Sequence, residues 1–116
     1  GAMLPRTLEV AEEMAEEEGV EAQVVDLLTL SPLDMAPVVE SVRRTGRAVV
    51  VHEAHRSYGP GAEIVSRIVE EAFWRLEAPV RRVTAPDVHV PFFARENEYL
   101  PTGDRIRAAF RAVLEA

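Results

Sequence analysis

Cysteine and lysine are both absent from this 116-residue chain, and each absence closes off a set of chemistries. Without cysteine there are no disulfides, no thiolate metal ligands and no cysteine nucleophile. That lack is compatible with a cytosolic setting, and a cytoplasmic location is the expectation. Without lysine there is no Schiff-base chemistry, and a phosphate-binding P-loop loses the residue on which it depends. All 13 basic residues are arginine. No apolar run approaches the roughly 20 residues that a membrane span needs, so no membrane partner is expected. The opening GAMLPRTLEV has no basic segment leading into an apolar one and does not read as a secretory signal. Positive charge is in deficit too. A net charge of −7 repels a polyanion, and the pairs Arg43–Arg44 and Arg81–Arg82 are too small to reverse it. Nucleic acid is not an expected partner.

What is present suits one globular domain over residues 1–116, with 47% hydrophobic and 28% charged residues. Residues 5–18 read as a helix, with Leu8, Ala11, Met14 and Ala15 at helical spacing and a crowd of glutamates on the remainder, ended by Gly19. The glutamates read as a solvated face, with a docking surface for a basic partner as the sharper alternative. AQVVDLLTL (22–30) reads as a strand. Asp34 can cap a helix running to about Arg44, ended by Thr45–Gly46. RAVVVHE (47–53) reads as a strand buried on both faces. The strongest helix is Gly61–Leu76, where Ile64, Val65, Ile68, Val69, Ala72, Phe73 and Leu76 make a wide apolar stripe. Val80–Thr84 supplies a third strand. The irregular VHVPFFARENEYL then leads to a helix from about Thr102, with Ile106, Phe110, Val113 and Leu114 on one side. Strands joined by helical crossovers run parallel, so the fold class is α/β with a mainly parallel sheet.

Chemistry is harder to place. HEAH sets His52 and His55 three residues apart at a strand end, one residue short of the zinc-protease spacing, and in a strand the two point to opposite faces. A metal would need a third ligand from Glu53 or the distant His89, so no metal site is assigned. YGPGAE resembles a phosphate loop opening a helix. It has only two glycines, Pro60 lacks a donor, and Glu53 and Glu63 bring negative charge to the same place. Ser31, Ser41, Ser57 and Ser66 lie in no nucleophile elbow. No catalytic residue is assigned. The adhesive-looking residues are Trp74, off the main stripe of its helix, and the rings Phe92, Phe93 and Tyr99 beside Pro91. They read either as a lid over the core edge or as an interface, which favours aromatics and arginine.

Four stretches in order carry a resemblance: VVDLLTLSPLD, SVRRTGRAVVVHEA, GPGAEIVSRIVEEAFWRLEAPVRRVTAPDVHVPF and EYLPTGDRIRAAFRAVL. Nearly end to end, the chain resembles the C-terminal domain of transketolase-type thiamine enzymes. Within them it is most similar to the β subunit of the 2-oxo acid dehydrogenase decarboxylating component, of pyruvate or branched-chain type. The resemblance implies a three-layer α/β/α domain, part of a longer β subunit. Its implied role is non-catalytic assembly, through a β-subunit dimer and contacts with the α subunit and the acyltransferase core. It implies thiamine diphosphate and magnesium in the parent complex and none on this chain. The parent enzyme decarboxylates a 2-oxo acid and passes the acyl group to lipoamide.

In the family a glutamate stands at Glu53, with no catalytic duty to carry over. His55, Arg56 and Tyr58 stand where such domains vary. Together with Trp74, Phe92, Phe93 and Tyr99 they are the candidate subunit-interface residues, since loops at strand C-terminal edges are where α/β folds expose functional surface. The family also has N-terminal strands, one of them between those matching 22–27 and 48–53, and this chain starts at the glycine where that strand would end. A sheet short of a central member is expected to close up, to borrow a strand from another copy or to belong to a larger protein, and self-association is the expectation. The competing reading is a free-standing α/β module that binds a small anionic metabolite with arginines around the 54–61 turn.

Overall fold

Proline sits in the first turn of three helices, where its missing N–H costs nothing: Pro5 in α1 (Leu4–Glu18), Pro37 in α2 (Ala36–Thr45) and Pro60 in α3 (Pro60–Ala72). The computed structural model describes residues 3–27, 34–55, 59–85 and 102–115, and of Glu53–His55 and Ala85 the backbone alone. The remaining elements are β1 (Val49–His55), β2 (Arg81–Ala85) and α4 (Gly103–Glu115), with a short 3-10 turn, Phe73–Arg75, continuing α3. Side chains help start two helices: Asp34 Oδ1 accepts from the Ala36 N–H at 3.1 Å, and Thr102 Oγ1 accepts from the Arg105 N–H at 3.2 Å. Gly19 and Gly46 end α1 and α2 with φ of 67° and 76°, a left-handed backbone in which a side chain is strained. At Gly46 a Cβ would also crowd the Glu77 side chain.

β1 and β2 pair in parallel, with Val49, Val50 and Val51 opposite Arg81, Arg82 and Val83, and the chain crosses between them through α3. The pairing is irregular from Val51 to His55. Helices cover both faces. On one side α2 and α3 bury Val39, Val42, Ile64, Ile68 and Ala72 against Val50 and Val80; on the other α1 and α4 bury Val10, Met14 and Ile106 with Val83 against Val49 and Val51. Alternation along VVV thus sends successive valines to opposite layers, which is why the run is continuously apolar. Each fully buried large side chain contributes roughly 1.5–3 kcal/mol, so Met14, Ile68 and Ile106 dominate this core.

Two expectations change. Residues 20–27 form no strand, and 28–30 lie outside the described residues. A strand persists through its partners, and here a cavity of about 540 Å³ lies between residues 20–27 and β1. The described sheet therefore has two strands rather than three. The α3 stripe also splits. Ile64, Ile68 and Ala72 are buried, whereas Val69 and Phe73 are exposed, because α2 and β1 cover only one side of the helix. The 3-10 turn after Ala72 then carries Phe73 and Trp74 outward.

Arginines tie the layers together. Arg47 Nε donates to the Val113 carbonyl at 2.8 Å and its guanidinium also bonds Glu77, joining the start of β1 to α4 and to the loop before β2. Arg105 donates to the Thr84 carbonyl at 2.7 Å. Of the α1 glutamates, Glu13 pairs with Arg107 and Glu18 with Arg111 of α4, while Glu9, Glu12, Glu16 and Glu17 are exposed. Glu18 is exposed as well as paired, so only Glu13 of these six is half-buried.

Candidate functional site

The junction of β1 and α3 holds the motif with the most chemistry in the sequence. His52, on the β1 face toward α3, accepts a hydrogen bond at Nε2 from the Gly61 N–H at 3.1 Å. With Nε2 accepting, the proton of the neutral ring sits on Nδ1, which is buried. The approach is so close that a Cβ on Gly61 would overlap the imidazole. His52 is therefore a clamp between strand and helix, and among the described residues no group of three His, Asp or Glu side chains converges as a metal site. Gly61 standing in the first turn of a helix was the signal that sequence reading left unused.

The same contacts bear on the anion-binding reading. A helix N-terminus attracts anions through N–H groups that the helix leaves unsatisfied. Here the Gly61 N–H is taken by His52 and the Ala62 N–H by the Gly59 carbonyl at 3.2 Å, with Glu63 exposed in the same turn. His55 ends the backbone of β1, while Arg56 and Tyr58 lie outside the described residues.

A second feature is an aromatic corner at the end of α3. Trp74 is 91% exposed and meets Phe73 edge-on, with ring centroids 5.1 Å apart at 80°. Val69, about one turn earlier, is also exposed, as are its sequence neighbours Glu70, Glu71 and Arg75. Arg43 of α2 donates to the Glu71 carbonyl at 2.9 Å and holds the end of α3 in place. Trp74 is thus joined by Phe73 and Val69, which the stripe had assigned to the core. Its other expected companions, Phe92, Phe93 and Tyr99, lie outside the described residues.

The third feature is the cavity beside β1. Val24 and Val25 form one wall and Val50 the other, with Ile64 and Ile68 closing it on the α3 side and Phe110 on the α4 side. No β2 residue lines it, so it lies along the edge of β1 that faces away from β2. Among the ionisable side chains, Arg107 has its pKa raised above the ordinary arginine value, first by its hydrogen bond to Glu13 and then by that carboxylate's charge. No helix of the described residues is long and apolar enough to cross a membrane.

Residues 1–106 match the family described as transketolase, C-terminal domain. Over 115 residues the chain is 45% identical to the pyruvate dehydrogenase E1 component subunit beta of Bacillus subtilis, covering 99% of this chain and 35% of that one. It is 46% identical over 106 residues to the 2-oxoisovalerate dehydrogenase subunit beta of Pseudomonas aeruginosa, covering 91% of this chain and 30% of that one. Among solved structures it superposes on a split gene transketolase, an inactive beta4 tetramer, with a TM-score of 0.77 and 32% identity, over 98% of this chain and 36% of that one. The chain spans about a third of the length of these relatives.

Proposed function

The chain belongs to the transketolase C-terminal domain family, and from that premise we propose that residues 1–116 act as one non-catalytic assembly domain of a thiamine diphosphate-dependent 2-oxo acid dehydrogenase β subunit. The observation that carries this reading is 45% identity to a pyruvate dehydrogenase β subunit sustained across 99% of the chain. In this reading the parent enzyme decarboxylates a 2-oxo acid in the cytoplasm and hands the acyl group to lipoamide. This domain packs β subunits together and meets the α subunit and the acyltransferase core. The loop residues His55, Arg56 and Tyr58 and the rings Trp74, Phe92, Phe93 and Tyr99 form the contacts.

Thiamine diphosphate with its magnesium does not fit the described residues. A diphosphate–metal pair needs converging oxygen ligands and free N–H donors. No acidic group of three converges here, and the donors of Gly61 and Ala62 are already engaged. No catalytic step is therefore assigned to this chain.

Calorimetry with thiamine diphosphate and magnesium, beside light scattering over a micromolar range, tests the assignment. The expected outcome is no saturable heat and a mass above that of the monomer. Replacing His55, Arg56 and Tyr58 together with alanine should weaken association. Tight cofactor binding by these 116 residues would overturn the division of roles.

A further inference from the structure

α3 begins without a side-chain cap of its own. Gly59 at its N-cap offers none, and the first-turn donor at Gly61 is satisfied by a ring from another element, His52 of β1. A helix N-terminus carries partial positive charge as well as unsatisfied N–H groups, so it favours an acceptor and disfavours a cation. Neutral imidazole supplies the acceptor through one ring nitrogen while the other carries the proton. Imidazolium supplies none. Both of its nitrogens are donors, and turning the ring over cannot restore an acceptor.

Protonating His52 therefore reverses the contact. A donor then faces the Gly61 N–H, and a positive charge faces the positive end of α3. The ring already packs so closely on Gly61 that a Cβ there would overlap it. Among the described residues, the charged groups around the ring are divided. From α3, Glu63 is exposed and pairs with Arg67. From residues 20–27, Glu21 and Asp26 line the same cavity as His52 and are exposed; Arg47, at the foot of β1, lines it with the opposite sign. α2 contributes Ser41 and Thr45 to that cavity and no charge. β2 brings Arg81 and Arg82 opposite Val49 and Val50, and Arg105 of α4 bonds the Thr84 carbonyl, so these elements add cations. Exposed carboxylates are screened by solvent, whereas the Gly61 N–H is in direct contact with the ring. The contact decides.

We propose that His52 is an acid-released latch: the neutral ring caps α3 from β1, and on protonation it becomes a cation that frees the first turn of the helix. The free imidazole titrates at about pH 6.5, which sets the region of the switch. The latched form needs the neutral ring, so the stability it contributes is fully present above that region and is lost as pH falls. The opening is local. Ile64 and Ile68, further along α3, stay buried with Val39 and Val42 of α2, so the body of the helix keeps its place while residues 59–62 are released. The latch is independent of the assembly role proposed above.

Nuclear magnetic resonance of the nitrogen-labelled 116-residue chain, titrated from about pH 8 to about pH 5.5, tests the latch. At the upper end a coupling across the hydrogen bond should link the Gly61 amide nitrogen to His52 Nε2, with the ring proton on Nδ1. As His52 titrates, that coupling should vanish and the protection factor of the Gly61 amide should fall at least tenfold, while that of Ile68 changes less than twofold. His52→Gln offers a carbonyl acceptor at every pH, so Gly61 protection in that variant should be flat over the same range. Gly61 protection that holds while the ring charges overturns the proposal, and so does a ring that stays neutral to the lower limit. The same acid loss in His52→Gln also overturns it, by moving the effect to Glu63, Glu21 or Asp26. If circular dichroism shows that His52→Gln does not fold, the coupling and the Gly61 protection in the parent chain decide by themselves.

Discussion

His52 and Gly61 stand nine residues apart and meet at 3.1 Å, and that contact gives the most suggestive motif in the sequence its role. A histidine at a strand end near a second histidine suggests a ligand pair, but the spacing and the distant third ligand already favour a structural or interface histidine. Its role became legible only when the fold brought the first turn of α3 against its ring. Two opposing effects decide what a methyl group does at position 61. Alanine favours helix over glycine by up to about 1 kcal/mol, less in the first turn. Overlap with the imidazole forces a shift of strand or helix, typically about 1–3 kcal/mol in a packed site. The second effect is larger, so Gly61→Ala should lower stability by about 1–2 kcal/mol in urea unfolding. In a His52→Ala background the overlap is gone and only the helix preference remains, so the same substitution should be neutral or slightly stabilising. Equal losses in both backgrounds would show that the ring is not what confines Gly61. The Arg47 contact is also readable as energy. Truncating Arg47 to alanine removes the donor from the Val113 carbonyl and the partner of Glu77, and a loss of about 1–3 kcal/mol is expected, measured the same way.

Among the elements, helices were legible and the strand at 22–30 was not, and the reason is physical. A helix carries its hydrogen bonds within itself. Pro5, Gly19, Asp34, Gly46, Pro60 and Thr102 therefore mark α1, α2, α3 and α4 to within a few residues of the observed ends. A strand makes all of its ladder bonds to neighbours. AQVVDL has the composition of a strand, but no described strand lies beside it, so composition alone misleads. β1 and β2 appeared where expected because each has the other. The split stripe of α3 follows the same logic, since periodicity shows which residues share a face but not how much of that face is covered. The packing of α4 on α1 offers a test of which force holds elements together. Ile106 is fully buried, whereas the Glu13–Arg107 and Glu18–Arg111 pairs lie on the rim. Ile106→Ala should cost about 2–5 kcal/mol by the cavity it leaves. Glu13→Gln should shift the melting temperature far less, and its effect should fade in 1 M salt because rim charges are screened. A larger shift for Glu13→Gln than for Ile106→Ala would make the ion pairs the main fastening.

At the scale of the molecule, Val69, Phe73 and Trp74 make an apolar corner that is exposed among the described residues. It needs only apolar cover, and the exposed Glu70, Glu71 and Arg75 adjoin it in sequence as a polar rim. That arrangement of ring, rim and mixed charge is how interface centres are built, and truncating an anchoring tryptophan commonly costs more than a tenfold change in affinity. The surface location of Trp74 separates association from folding. At 91% exposure its side chain contributes little to the monomer, so Trp74→Ser should leave the urea midpoint within about 0.5 kcal/mol of the parent. If the corner is where subunits meet, the same substitution should weaken self-association in sedimentation velocity by at least tenfold, and Phe73→Ser should weaken it less, because Phe73 is the less exposed of the pair. Association that survives both changes would move the interface away from α3.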